Sequence, residues 1–243
     1  MPSDLKISAE VRNAIEDLEL FGEESLYISR VEENIKKGSS LSKQGQLEAL
    51  YTRYGNCQNC ALGSTRKKIV FGTGSLDFKV LAIGEGPGYE EDRQGLPFVG
   101  KAGVLLDKIL ASINLDRKTN VYIANIVKCH PMRDPAQPDL RGNDRAPTPE
   151  EMFSCRPILD QQIEILQPPL ILCLGSVAAK NLLNSSQGVS QLRGKVYDFA
   201  YPVSGKKVPL LVTYHPAALL RNELLKKDVW HDMKVLRDLI AKL

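Results

Sequence analysis

From residue 69 onward the chain alternates short apolar runs with stretches of helical periodicity, and this feature narrows the possible folds most. The runs fall at 80–83, 121–127, 170–174 and 210–214. Runs of that length read as buried strands. Strands separated by helices pair in parallel, because each crossover must return the chain to the same end of the sheet. Helices are expected at 41–54, 102–113, 149–166, 176–183 and 229–243. Thr148, Pro149, Glu150 and Glu151 supply the capping chemistry of a helix start. Turn chemistry at Ser204-Gly205 predicts a hairpin within 195–207. The expected fold class is α/β, with βα units around a parallel sheet.

An open parallel sheet binds ligands beyond the carboxyl ends of its strands, so the residues that leave each run are informative. The first run is followed by Gly84-Glu85-Gly86-Pro87-Gly88. Asn125 lies within the second, followed by Lys128-Cys129. Gly175-Ser176 follows the third and His215-Pro216 the fourth. A carboxylate, an amide and an imidazole thus meet on one rim, as a pocket for a polar ring requires. The glycine-rich pentapeptide lacks the G-x-G-x-x-G spacing of a dinucleotide site and the Gly-Lys-Ser/Thr of a phosphate loop. It reads either as a tight strand exit or as backbone that a ligand approaches closely, with Glu85 in the pocket. In Pro97-Phe98-Val99-Gly100-Lys101-Ala102-Gly103, Phe98 reads either as core or as a stacking platform for a base. Lys101 and the amides near Gly103 are placed to hold phosphate at a helix N-terminus.

The first 40 residues are different in character. Weak helical stripes end in Lys36-Lys37-Gly38-Ser39-Ser40, a linker composition, so 1–40 is expected to be an arm and 41–243 the folded domain. Residues 1–43 carry nine acidic and six basic side chains, net −3, which leaves +6 on the rest of a chain whose total is +3. A basic body permits a polyanionic partner. No apolar stretch reaches about eighteen residues, so no membrane helix is expected. Charges interrupt the first 21 residues, unlike a secretory signal. The expected compartment is the cytoplasm, where thiols stay reduced. Five cysteines there, two of them in Cys57-x-x-Cys60, point to metal chemistry. Cys173 sits inside an apolar run and reads as core. Cys57, Cys60, Cys129 and Cys155 remain, enough for a [4Fe–4S] cluster or a structural zinc.

Taken together, these segments resemble the family 4 uracil-DNA glycosylases, the iron–sulfur members of the uracil-DNA glycosylase superfamily. The resemblance spans roughly residues 50–240. It rests on Cys57-Gln58-Asn59-Cys60, on Gly84 through Gly88 with Glu91-Asp92, and on Pro97 through Gly103. It continues through Asn125-Ile126-Val127-Lys128-Cys129, Cys155-Arg156-Pro157 and His215-Pro216-Ala217-Ala218-Leu219-Leu220-Arg221. Each segment alone is weak, but the ordered set is specific. The gap between Cys129 and Cys155 is longer than usual, with a Pro- and Asp-rich insert near 132–144. A related branch forms a covalent adduct through a histidine in this loop. Residues 132–145 contain no histidine, which disfavours that chemistry here.

The resemblance implies a uracil-DNA glycosylase-like α/β fold, a three-layer sandwich around a central four-stranded parallel sheet, and a [4Fe–4S] cluster on Cys57, Cys60, Cys129 and Cys155. It implies that Glu85, Gly86, Pro87, Phe98, Asn125 and His215 contact an extruded uracil. Leu219 and Leu220 would wedge into the duplex, with Arg221 on the backbone. The activity implied is removal of uracil from single- or double-stranded DNA by a monomer, leaving an abasic site and starting base excision repair. Asn125 would read the uracil edge and His215 would stabilise charge on O2. Glu85, or after it Glu91, would orient water, unless Glu91 instead excludes the thymine methyl group. Two other readings stand beside this one: a non-catalytic iron–sulfur DNA-binding module of the same fold, and a zinc-stabilised nucleotide-binding protein.

Overall fold

The computed structural model describes residues 41–243; the expected arm at 1–40 lies outside them. Helix α1 (Lys43–Tyr54) and the single turn α2 (Leu62–Thr65) carry the chain past Cys57 and Cys60. Then follow β1 (Thr73–Gly74), β2 (Val80–Gly84), α3 (Tyr89–Gln94), α4 (Lys101–Ala111), β3 (Val121–Asn125) and the long α5 (Pro149–Leu166). The second half comprises β4 (Ile171–Leu174), α6 (Ser176–Leu183), α7 (Val189–Leu192), β5 (Val196–Ala200) and β6 (Lys207–Thr213). It closes with α8 (Pro216–Arg221) and α9 (Leu225–Ile240).

The strands form one sheet in the order β1-β3-β2-β4-β6-β5. The inner four, β3-β2-β4-β6, are parallel, as expected from their apolar runs. The described sheet is nevertheless six strands wide, because β1 and β5 add antiparallel edges. β1 has only two residues, too few for any periodicity to register, and β5 pairs with β6 in the predicted hairpin.

Successive residues of the inner strands point to opposite faces, and both faces are covered. Leu81, Ile83, Cys173 and Val212 pack with α1, α5 and α6. Val80, Ala82, Leu172 and Leu211 pack with α4 and α9. The result is the expected three-layer sandwich, with Cys173 fully buried in it. Helix α5 starts at the predicted residue because Thr148 and Glu151 close a reciprocal cap. The Glu151 amide donates to Thr148 Oγ1 at 3.2 Å, and Glu151 Oε2 accepts from the Thr148 amide at 2.8 Å. Helix α9 begins at Leu225, earlier than its periodic stripe suggests. Among the described residues no helix is long and apolar enough to cross a membrane.

Candidate active site and cysteine cluster

The register of the parallel strands sets the site. Gly84 pairs with Asn125, and Leu174 pairs with Thr213, so the strands end on a common rim. Glu85, Asn125, Gly175 and His215 emerge there. Gly175 has φ +93°, and a Cβ on it would lie 2.8 Å from the Cβ of His215. Only glycine lets these two strand exits pass so closely. A cavity of about 580 Å³ opens on the rim, lined by Glu85, Gly86, Pro87, Glu91, Phe98 and His215 among others.

His215 is the N-cap of α8. Its Nδ1 accepts from the Ala217 amide at 3.2 Å. An Nδ1 that accepts is unprotonated, so in the neutral imidazole Nε2 carries the hydrogen and is the donor left for a ligand. Burial, and secondarily the Arg221 guanidinium, lower the pKa of His215 to about 4. The ring is therefore neutral at pH 7. Its centroid lies 5.4 Å from that of Phe98, with the planes 32° apart.

Phe98 has φ +53°, a left-handed conformation that a bulky residue adopts only when its surroundings impose it. Three contacts impose it here. Arg117 donates from Nη1 to the Pro97 carbonyl and from Nη2 to the Phe98 carbonyl, both at 3.0 Å. Glu91 Oε1 accepts from the amides of Val99 at 2.9 Å and Gly100 at 3.0 Å. Gly103 brings α4 against the loop so closely that a Cβ would lie 1.8 Å from the Phe98 oxygen. Arg117 was not visible as a site residue in the sequence: it lies in a loop between α4 and β3 with no motif around it. In the sequence Asp92 is marked only by its place in the Glu91-Asp92 motif. It proves to be a buried anchor that accepts from the Lys67 amide through Oδ1 at 3.0 Å and Oδ2 at 3.1 Å.

Asn125 is 1% exposed, and its Oδ1 has no hydrogen-bond partner, an expensive state for a buried amide oxygen. It does not line the open cavity. Instead Asn125 Oδ1 and the Phe98 ring both press on Gly84, where a Cβ would meet them at 2.5 Å and 2.7 Å. Gly86 likewise makes room for Val127, at 2.7 Å from an added Cβ. These two glycines thus admit the protein's own side chains. Glu85 is partly exposed on the cavity wall. Burial raises its pKa, and Arg221 opposes that shift.

Lys101 and Arg221 are exposed and line the cavity. Burial separates the residues expected at DNA. Leu219 is 1% exposed and belongs to the core shared with α4 and α9, whereas its neighbour Leu220 is 51% exposed. Gly103 is buried beneath Phe98, where it packs α4 against the loop.

Cys57, Cys60, Cys129 and Cys155 line one small cavity, as the sequence grouping anticipated. Among the described residues no group of three or more His, Cys, Asp or Glu is arranged to hold a metal ion. The surroundings nonetheless suit an anionic group. The Lys128 amide donates to Cys155 Sγ at 3.3 Å, and Arg66 Nη1 lies 3.6 Å from Cys129 Sγ. Arg66 also holds the Cys57 carbonyl at 2.7 Å. The Lys128 side chain is wholly buried beside these thiols and donates to the Asn125 carbonyl at 2.7 Å. It therefore joins the cysteine loop to the rim. Burial pushes the Cys129 thiol up to about 12 and Cys155 to about 11, so a metal must displace their protons to bind. His130 is not aimed at the cysteines: its Nε2 lies 2.7 Å from Asp144 Oδ1.

A parallel sheet whose rim brings an imidazole and an aromatic to one cavity and buries an amide behind the aromatic, with four cysteines lining a second cavity, defines a class. The chain belongs to the uracil DNA glycosylase superfamily, whose family model matches residues 71–240. It is 39% identical over 191 residues to the type-4 uracil-DNA glycosylase of Archaeoglobus fulgidus, covering 77% of this chain and 89% of that protein. It is 37% identical over 204 residues to the type-4 enzyme of Thermotoga maritima, covering 83% and 98%. With that of Pyrobaculum aerophilum it shares 38% over 191 residues, covering 77% and 91%. These similarities place it in the type-4 branch.

Proposed function

We propose that this chain flips uracil out of DNA and hydrolyses its N-glycosidic bond, leaving an abasic site. The observation that carries the reading is the buried, unpartnered Oδ1 of Asn125, held beside Phe98 at the rim that also bears His215. Uracil offers N3–H to that oxygen and O4 to the Asn125 amide hydrogens, whereas cytosine presents the reverse pattern. The base is reached only once it leaves the stack, at about a few kcal/mol. Leu220, exposed beside the cavity-lining Arg221, fills the gap left in the duplex. Phe98 stacks on the extruded ring.

As the C1′–N1 bond breaks, its electron pair passes to uracil and charge grows on O2. The Nε2–H of neutral His215 donates to that oxygen, an interaction stronger in the transition state than before it. Water adds at C1′, oriented by Glu85, and the proton it releases goes to the departing uracil anion. Glu91 is a positioning residue, because its Oε1 is committed to the amides of Val99 and Gly100.

Cys57, Cys60, Cys129 and Cys155, which line one small cavity, would hold a [4Fe–4S] cluster. Hydrolysis needs no electron, so the group's contribution is to tie the Cys57 loop to the two later cysteines. The buried Lys128 and the Arg66 guanidinium balance its charge. The type-4 relatives favour excision over a module that only binds DNA. The test is incubation with uracil- and thymine-containing oligonucleotides followed by alkaline cleavage. Strand breaks at uracil alone support the reading, and intact uracil strands overturn it.

A further inference from the structure

Residues 132–145 form a longer loop than a simple connection needs, and it is ordered by contacts along its whole length. Its base is closed by an antiparallel bridge between Met132 and Asp144. Arg145 pairs with both oxygens of Glu151, at 2.6 and 2.8 Å. Its middle is organised by the buried Asn143. That side chain donates to the carbonyls of Asp134 at 2.7 Å and Gln137 at 3.0 Å, and accepts from the Asp134 amide at 2.9 Å. Its tip is tied to α3. Arg141 pairs with Glu90 at 2.7 Å and lies 4.8 Å from the Tyr89 ring centroid, while Asp139 pairs with Lys67 and Arg93. Long loops held this firmly are uncommon without a function that needs their shape.

The loop forms part of the wall of the cavity that holds His215, through Arg133, Arg141, Asp144 and Arg145. The other cations on this part of the wall are already matched, Arg141 by Glu90 and Arg145 by Glu151, and Asp144 is hydrogen-bonded to His130. Arg133 is different. It is exposed, and its guanidinium makes no hydrogen bond or ion pair among the described residues. Lys101 and Arg221, on the body of the domain, share both properties and line the same cavity. Three cations without a hydrogen bond or ion pair among the described residues thus line one opening: Lys101 at the start of α4, Arg221 at the end of α8 and Arg133 on the loop.

We infer that the 132–145 loop is a grip for the phosphodiester backbone of the strand carrying the target base, with Arg133 as its phosphate contact. The inference rests on the glycosylase reading above. It adds a contact on the loop side of the cavity, where the resemblance assigned none. Because the loop is already ordered, binding through it loses little conformational freedom.

The test is a set of binding isotherms of the full chain on an abasic-site oligonucleotide across a range of salt concentrations. Arg133→Gln should lower the slope of log K against log salt by about one, and weaken binding at 0.1 M salt by about five- to tenfold. The control is Arg237→Gln, since Arg237 lies on α9 and pairs with Asp238 away from the cavity. It should leave the slope unchanged. An Arg133→Gln slope equal to wild type overturns the inference, as does an equal loss in both variants. A wild-type protein that does not excise uracil sinks the glycosylase reading instead, and the salt slopes still decide the grip.

Discussion

The amide of Ala217 donates to Nδ1 of His215 across 3.2 Å, and this one contact fixes which nitrogen of the neutral imidazole is left to donate. Neutral His215 then presents Nε2–H, the polarity a developing oxyanion requires. Capping α8 and preparing the donor are the same interaction.

The first prediction concerns that proton. The imidazole takes up a second proton near 6.5 in the unfolded chain but only near about 4 in the fold. Between those values the unfolded state binds more protons, so His215 makes stability fall as pH falls through that window and has no effect above it. Imidazole nitrogen NMR at pH 7 should show Nε2 protonated and Nδ1 bare. With three histidines in the chain, subtraction of a His215→Ala spectrum assigns the signals. An imidazolium at pH 7 would refute the neutral-donor mechanism. In single turnover, His215→Ala should slow excision by about a hundred- to a thousand-fold while DNA affinity changes far less.

A second prediction follows from Glu85. Burial raises its pKa, so the fold favours the protonated form, and keeping it ionised at pH 7 opposes stability. Glu85→Gln should therefore melt higher than wild type at pH 7, with the gain shrinking as pH falls through the raised folded pKa and wild-type Glu85 takes up its proton. The same substitution should cost about a hundredfold or more in rate. A variant both slower and less stable would mark Glu85 as a scaffold residue.

Asn125 gives a third. Its partnerless oxygen implies that the side chain is preserved for a ligand rather than for the fold. Asn125→Asp replaces the amide donor with a group that cannot donate when ionised, so uracil excision should collapse while affinity for abasic-site DNA is kept. Excision at the wild-type rate would remove Asn125 from base reading.

Gly103 gives a fourth, separating packing from phosphate binding. A Cβ there collides with the Phe98 carbonyl at 1.8 Å. Gly103→Ala should lower stability by about 3 kcal/mol and release Phe98 from its strained conformation. Thermal melts should show this without DNA. If stability is unchanged and only DNA affinity falls, the phosphate reading stands after all.

The last concerns the cysteines. Cys155→Ala should lower bound iron and visible absorbance, whereas Cys173→Ala, altering a thiol buried within β4, should keep full iron content. Normal iron in Cys155→Ala would mean that the fourth ligand lies elsewhere.

The local pattern of the sequence determined a good deal. Unbroken apolar runs announced β2, β3, β4 and β6 because strands buried on both faces need apolar side chains at every position. Glu85, Asn125 and His215 could be placed on one rim because parallel strands all end at the same side. The start of α5 was legible because a capping box is contained within four residues. Other features arise only where distant segments meet. Leu219 and Leu220 are chemically equivalent in the sequence. Packing against α4 and α9 buries one and leaves the other exposed. Gly103 carries no mark of its contact with Phe98, and Arg117 none of its hold on the same loop. The path of the 132–145 loop depends on Tyr89 and Glu90, about fifty residues before the Arg141 they hold. Periodicity and capping act over a few residues along the chain and can be read from it. Close packing and charge pairing between remote segments depend on how the helices and loops settle on the sheet, and only the tertiary structure decides that.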